Sequence, residues 1–196
     1  ENHANPIITN NIIQQNTAGT EGGGIRCNNH SSPLIQQNYI VENTVTGNGG
    51  GILCLDNSSP AIIGNLLAKN LAQNGYGGGI GLQNSSAATI SNNTLDRNSA
   101  LYGGGVYIDA TSSASVTNTI ITNTPSGKGI RADWLNPLVI YYCDVWNNLD
   151  EDYYGCVPGT GSISINPLFC DTGSTDYSLW ISSPCLGSGQ NGSNIG

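Results

Sequence analysis

The sequence predicts an all-β protein: a single-stranded, right-handed parallel β-helix of about five to six coils with an irregular, disulfide-bonded C-terminal cap. The first supporting observation is a glycine triplet followed by a β-branched residue, which recurs at steps of 27, 28 and 26 residues: Gly22–Ile25, Gly49–Ile52, Gly77–Ile80 and Gly103–Val106. A fixed period of this size is typical of stacked repeats. The second is local alternation, as in Val106-Tyr107-Ile108, which has the two-residue period of a strand. The third is an abundance of Gly and Asn, both of which are poor helix formers.

Each period of about 27 residues holds enough chain for roughly three short strands joined by turns. Two apolar positions recur in register, and we expect them to form the core: Ile8, Ile35, Ile62, Ile90 and Val116, then Ile13, Ile40, Leu67, Leu95 and Ile121. Two asparagine positions recur beside them: Asn11, Asn38, Asn65 and Asn93, then Asn16, Asn43, Asn70, Asn98 and Asn123. We interpret these as left-handed turn residues whose amides bond neighbouring coils, with the glycines supplying positive φ at another corner. The right-handed crossover preference of parallel strands sets the hand.

Two stretches carry a resemblance to known proteins. The run GGGIRCNNHSSPLIQQNYIVENT resembles the right-handed parallel β-helix repeats of secreted and surface proteins. The stretch SISINPLFCDTGSTDYSLWISSPCLGSG resembles the closing segment of large bacterial and archaeal surface β-helix proteins. The resemblance implies the fold and an extracellular or cell-surface location. It does not imply one activity, because the same repeat serves lyases, hydrolases, adhesins and passive stalks.

We predict one domain, with repeat coils over residues 1–130 and degenerate coils plus a capping segment over residues 131–196. The net charge is −8, with only 9% charged residues. This composition argues against nucleic acid and anionic membranes as partners, because both require a basic surface. The sequence also has no transmembrane run.

The sequence begins at Glu1, within a repeat, and contains no methionine. The first coil of a β-helix exposes strand edges and a cross-section of the core. We therefore expect either an upstream domain or another copy of the chain to cover the N-terminal end.

Six cysteines fall into two groups. Cys143, Cys156, Cys170 and Cys185 lie in the irregular C-terminal part, where an even count favours disulfides, and the local pairs Cys143–Cys156 and Cys170–Cys185 are preferred. Cys27 and Cys54 share one repeat position and are interpreted as buried thiols. The aromatic residues concentrate in the same C-terminal part, which favours a cap and leaves a carbohydrate-stacking surface as the alternative.

The candidate catalytic residues lie on the outer face of the strand that follows each glycine triplet. Asp109 and Asp133 fall on adjacent coils with Arg131 beside them, and two close carboxylates suit acid–base chemistry or Ca²⁺ binding. Tyr107 and Trp134 flank them as candidate binding residues. The alternative is a solvated acidic patch without catalytic function.

Two further sets of candidate sites are weaker. Asp150 and Asp152 could hold Ca²⁺ with Asp144, although such acidic runs are more often exposed loops, and no other cofactor is expected. Five asparagines stand in N-glycosylation sequons: Asn29, Asn57, Asn84, Asn92 and Asn191.

Two classes of function remain open. The regular, weakly charged faces favour an extracellular structural or interaction module, such as a stalk, a fibre or a surface-layer component that self-assembles end to end. The alternative is a polysaccharide lyase, a glycoside hydrolase or a passive carbohydrate-binding module.

Overall fold

The computed structural model describes residues 3–133 and 138–196, and it shows a parallel β-solenoid of about five turns. The predicted all-β parallel fold is confirmed. Strands are numbered in chain order, and equivalent strands of successive coils pair in parallel to form four long sheets. No helix within the described ranges combines the length and the apolar character needed to cross a membrane.

Three of these sheets take one strand from each of six coils, and the fourth takes one strand from each of the first four coils. The proline sheet contains β1 (Ile7–Thr9), β5 (Leu34–Gln36), β9 (Ala61–Ile63), β13 (Ala87–Ser91), β17 (Ser113–Thr117) and β20 (Leu138–Tyr141). The strap sheet is named for the C-terminal segment that lies along its outer face. It contains β2 (Ile12–Gln14), β6 (Tyr39–Val41), β10 (Leu66–Ala68), β14 (Thr94–Asp96), β18 (Ile120–Thr122) and β21 (Asp144–Trp146). The corner sheet contains β3 (Thr17–Ala18), β7 (Thr44–Val45), β11 (Leu71–Tyr76) and β15 (Ser99–Tyr102). The glycine sheet contains β4 (Ile25–Cys27), β8 (Ile52–Cys54), β12 (Ile80–Leu82), β16 (Val106–Ile108), β19 (Ile130–Ala132) and β22 (Tyr153–Tyr154).

The core is a set of apolar ladders that run along the solenoid axis. Ile35, Ile62 and Ile90 are fully buried in the proline sheet, and Ile52 and Ile80 are fully buried in the glycine sheet. Their partners are in register from coil to coil. The predicted inward register is therefore confirmed. Cys27 and Cys54 are register partners on the adjacent strands β4 and β8 inside this core, and both are free thiols, as predicted.

The glycine triplets have two structural roles. The predicted role is positive φ at the corner, and the second role is close approach of neighbouring coils. The first glycine of each triplet has positive φ, for example +73° at Gly49. The third glycine does not, and it is required instead by close approach of the coils. A Cβ added to Gly51 would lie 2.6 Å from the carbonyl oxygen of Gly79 in the next coil.

The asparagine ladders bond the coils as predicted, but the ladder asparagines do not have the predicted left-handed backbone. The predicted place of Asn123 on the second ladder is wrong: this residue aligns with Arg97 at the turn and has φ +55°. Asn38 Nδ2 donates to Asn65 Oδ1 at 3.0 Å, to the Ile8 carbonyl at 2.8 Å and to the Gln36 carbonyl at 3.0 Å. The left-handed residue at this turn is the preceding Gln37, with φ +53°. Gln37 at the turn thus faces solvent, while Asn38, the next residue, is buried. The side-chain bonds of Asn38 take the place of the backbone bonds that the bend interrupts.

The C-terminal part covers one end and then one side of the solenoid. Ile163 pairs with the edge of β21: its N–H donates to the Cys143 carbonyl at 2.8 Å, and its carbonyl accepts from Val145 N at 3.2 Å. Residues 166–196, here called the strap, then lie along the outer face of the strap sheet, where Cys185 and Ile195 pack on Ile120. The strap contains an antiparallel pair, β23 (Phe169–Asp171) and β24 (Asp176–Leu179), and a 3₁₀ helix, Gln190–Gly192.

The predicted disulfides Cys143–Cys156 and Cys170–Cys185 are wrong, since all four residues are free thiols. Cys143 occupies the position that asparagine holds in earlier coils, and its single S–H can donate to the carbonyl of Val116 at 3.4 Å or to that of Tyr141 at 3.3 Å. Burial raises the pKa of this thiol to about 12, which keeps the proton available for these bonds. The thiol therefore points into the solenoid, away from a loop partner.

Candidate functional site

The outer face of the glycine sheet carries a cluster of aromatic rings around one arginine. Tyr107, Arg131 and Tyr154 are aligned on successive strands of this sheet. Tyr76 and Tyr102 are aligned at the ends of β11 and β15, beside the same face. We call these five residues the tyrosine–arginine cluster. The repeat period places them together, because residues one period apart stand one strand spacing apart.

The guanidinium of Arg131 lies between two rings, with its central carbon 4.5 Å from the ring centroid of Tyr102 and 4.8 Å from that of Tyr154. Tyr76 stacks on Tyr102 at 5.1 Å and tilts against Tyr107 at 4.6 Å. Cation–π and ring–ring contacts at such distances are each favourable, so the cluster holds its shape without a ligand. Tyr102 and Tyr154 remain 40% and 37% exposed, which leaves ring surface open to solvent.

Asp133 closes the cluster on its polar side. Its Oδ2 accepts from the Tyr107 hydroxyl at 2.6 Å, and its Oδ1 accepts from Arg131 Nε at 3.2 Å. Burial raises the pKa of Tyr107 far above its usual value, and the bond to Asp133 raises it further. The Tyr107 hydroxyl therefore keeps its proton and donates a hydrogen bond to the Asp133 carboxylate, which it holds in position.

Asp109 stands on the coil adjacent to that of Asp133, as predicted, but it has partners of its own. Its Oδ2 accepts from Asn84 N at 2.8 Å, and its Oδ1 accepts from the N–H and the hydroxyl of Thr111, both at 2.9 Å. Burial acts to raise the pKa of Asp109, but the bonds from Asn84, Ser112 and Thr111 outweigh it and lower the pKa. A carboxyl with a lowered pKa is a poor general acid, and here it stabilises a turn.

Residues 68–166 match the family model of the right-handed β-helix region, which spans about half of the chain and includes the whole tyrosine–arginine cluster. The chain belongs to the right-handed β-helix family. No curated protein matches this β-helix. The family match shows the fold, whereas the activity of a β-helix depends on the residues of its site.

Sequence reasoning found Tyr107, Arg131 and Asp133 of this β-helix but missed Tyr76, Tyr102 and Tyr154. A signal for two of them was present, because Tyr76 and Tyr102 each directly precede a glycine triplet. Their rings also explain why Tyr107 is only 3% exposed on an outward-facing position. Trp134, the other predicted binding residue, lies outside the described residues.

The three carboxylates predicted to hold Ca²⁺ bond to separate protein donors. Asp150 accepts from Gly127 N at 2.9 Å. Asp152 accepts from the side chain of Asn148 at 2.8 Å and from the Ser164 hydroxyl at 3.0 Å. Asp144 is buried beneath the strap. Within residues 3–133 and 138–196, no group of three or more His, Cys, Asp or Glu side chains is arranged to hold a metal ion.

The sequon asparagines occupy left-handed turn positions on the surface of the β-helix. Four of them are exposed, and Asn92 is half-buried. The turn that holds Asn29 recurs in the next two coils, where Asn84 takes the same position and Asn57 the position that follows it, so these sequons lie along one row of turns. Their place on the surface is compatible with modification, and glycosylation remains a prediction.

The geometry of the cluster is better suited to holding a ligand than to moving protons. It offers flat ring faces, a guanidinium and a positioned carboxylate, whereas the second carboxylate is used in a turn. Lys128 extends it, with Nζ 5.6 Å from the Tyr154 ring centroid and 3.5 Å from Glu151 Oε2. Two of the five basic residues of this acidic chain therefore lie at the cluster.

Proposed function

We propose that this β-helix is an extracellular or cell-surface structural and interaction module, built as a stiff support for an exposed binding face. The observation that carries the proposal is the set of asparagine ladders, in which side-chain amides bond each coil to the next. Asn43, Asn70 and Asn98 form such a chain, with amide-to-amide distances of 3.0 and 2.9 Å. A coil held by backbone and side-chain bonds at once resists bending and local opening. A composition of amides, hydroxyls and glycine with few charges supports an external location.

Surface labelling of intact source cells with an antibody against the β-helix tests this proposal. We expect labelling without permeabilisation, and purely internal labelling would overturn the location. A polysaccharide depolymerisation assay tests the structural role. If the parent degrades a polysaccharide and Asp133→Asn does not, the protein is an enzyme and the proposed structural role is wrong.

A second candidate function is polysaccharide binding at the tyrosine–arginine cluster, in a passive module or in a lyase or hydrolase. The observation that favours it is the position of Arg131 between the exposed rings of Tyr102 and Tyr154. Ring faces pack on the apolar faces of sugars, and a guanidinium recognises a carboxylate. The cluster would thus select an acidic polysaccharide.

Calorimetry with a soluble uronic-acid polysaccharide tests this second candidate. Arg131→Ala should abolish binding. Arg26→Ala is the matched control, because Arg26 lies on the outer face of the same sheet and pairs with Glu21 at 2.9 Å, away from the cluster. Equal loss in both variants would indicate unspecific charge attraction.

We also propose that the first coil contacts another copy of the chain. Ile7 and Ile12 are 70% and 71% exposed. Their partners in the next coil are Leu34, which is half-buried, and Tyr39, which is 52% exposed. Apolar side chains in such a row favour association. Sedimentation should show assemblies that Ile12→Asp disrupts and Leu149→Asp, at the other end, does not; a monomeric parent would exclude the contact.

A further inference from the structure

A groove of about 560 Å³ lies between the strap and the turn that joins the proline sheet to the strap sheet. This volume is within the range of ligand-binding pockets. One wall is a row of turn residues from four successive coils: Asn10, Gln37, Gly64 and Asn92. The other wall is formed by Thr175, the last residue of the strap hairpin turn, and by Asp176, Tyr177 and Ser178 at the start of β24. The groove spans three coil spacings, about 14 Å along the axis.

Gly64 creates a notch in the middle of the groove. All four residues of the row have a left-handed backbone, with φ of +57°, +53°, +62° and +55°, so this conformation does not demand glycine. Packing does not demand it either, because a Cβ on Gly64 would meet only Gln37 Cγ at 3.8 Å and the Asn92 carbonyl at 3.9 Å. The missing side chain leaves open space between the amides of Gln37 and Asn92.

The lining combines ring, amide, hydroxyl and carboxylate groups. The Tyr39 ring is 52% exposed at the edge of the groove, above the apolar side chain of Leu66. The amides of Gln37 and Asn92 can both donate and accept hydrogen bonds. Asp176 brings a carboxylate, and a bond from Ser178 lowers its pKa, so that it is ionised at neutral pH.

We propose that this groove binds a neutral saccharide. A sugar offers hydroxyls to the amides and to Asp176, and an apolar face to the Tyr39 ring. Among the described residues that line the groove none is Lys, Arg or His, so a phosphate or carboxylate would face Asp176 without a cation to pair with. The groove lies beside the proline sheet and the strap sheet, so a ligand bound here would not touch the tyrosine–arginine cluster.

Gly64→Asn provides the sharpest test, because asparagine tolerates positive φ and restores the side chain that the other coils carry at this turn. The probes are an array of neutral oligosaccharides, with both cell-wall-type glucans and protein-linked glycans, followed by calorimetry on each positive signal. Signals confined to one class identify the source of the ligand. Gly64→Asn should weaken binding at least about tenfold and leave the thermal melt unchanged.

Three further variants keep the test decisive. Tyr39→Ala, which alters an exposed ring, should also lose binding, even if Gly64→Asn were to fold poorly. Gly19→Asn is the matched control, since a Cβ on Gly19 has nothing within 4 Å and the residue lies outside the groove. Arg131→Ala should retain neutral-saccharide binding. The proposal is overturned if the parent binds no neutral saccharide, if Gly64→Asn and Tyr39→Ala bind as the parent does, or if Arg131→Ala abolishes binding.

Discussion

The hydroxyl of Tyr177 in the strap donates to Oδ2 of the fully buried Asp96 in β14, at 2.9 Å and across 81 positions of sequence. The other oxygen of Asp96 accepts from the Thr122 hydroxyl at 3.0 Å and from Asn123 Nδ2 at 2.7 Å. Arg97 adds an ion pair at 3.2 Å. One buried carboxylate therefore joins the strap to the side of the solenoid.

Tyr177→Phe should loosen the strap. The change removes a hydrogen bond to a buried charge, and a bond of this kind stabilises a folded protein by about 2 kcal/mol. We expect this loss in the free energy of unfolding from urea titrations, together with faster proteolysis within residues 166–196. Tyr141→Phe, at a side chain 42% exposed, should change stability by less than about 0.5 kcal/mol. Equal effects of both changes would show that the bond to Asp96 does not anchor the strap.

Stability should fall as the pH rises from about 4 to 6, because of Asp144. Burial raises the pKa of Asp144 to about 6, against the bonds from Ile165 N and the Cys185 thiol, while the negative charge of Asp152 raises it further. Between the unfolded and folded pKa values the folded state keeps a proton that the unfolded state has released. The contribution is thus full below about pH 4 and lost above about pH 6, and a shift of roughly 2 units corresponds to about 3 kcal/mol.

The difference in unfolding free energy between the parent and Asp144→Asn, measured from pH 3 to pH 8, isolates this effect. The amide cannot ionise, so the decline between about pH 4 and 6 should disappear in the variant. Asp171→Asn is the control, because Asp171 is exposed and a bond from the Ser174 hydroxyl lowers its pKa. A parent and an Asp144→Asn variant with parallel pH profiles would contradict the prediction.

Ile52→Asp should abolish cooperative folding. The side chain is fully buried between β4 and β12, and an unpaired charge there costs several kcal/mol. Circular dichroism melts should show no native transition, whereas Ile52→Val should lose only about 1 kcal/mol. A melt of Ile52→Asp like that of the parent would mean that the inward register is wrong.

Gly51→Ala should destabilise the fold although alanine favours ordered backbone more than glycine does. The new Cβ would lie 2.6 Å from the Gly79 carbonyl oxygen and 3.2 Å from the side chain of Leu67, so adjacent coils would have to separate. We expect a loss of several kcal/mol in thermal or urea unfolding. Gly19→Ala, with open space around it, should be neutral or slightly stabilising. A neutral Gly51→Ala would show that the glycine is not required by the coil spacing.

The repeat made much of the fold predictable. A period near 27 residues sets which side chains share a ladder, so the inward positions of Ile52 and Ile62 and the adjacent coils of Asp109 and Asp133 followed from spacing alone. The same logic brought Tyr107 beside Arg131. The same spacing relates Tyr76 to Tyr102, since each stands directly before a glycine triplet.

Where the repeat decays, spacing no longer predicts contacts. The irregular sequence around Cys143 predicts a loop cysteine, yet backbone pairing keeps this residue on the asparagine ladder and turns its thiol inward. The bond between Tyr177 and Asp96 has no local signal, because the strap returns to a coil that the chain left about 80 residues earlier.

The sequence by itself determined the coil, its period and the residues that face the core, because a repeated pattern of apolar, glycine and asparagine positions can be satisfied in only one stacked register. Only the tertiary structure decided how the strap lies along the solenoid, which carboxylates are buried beneath it and where the groove beside Gly64 opens. Those features depend on contacts between segments far apart in the chain, where no periodicity relates one residue to its partner.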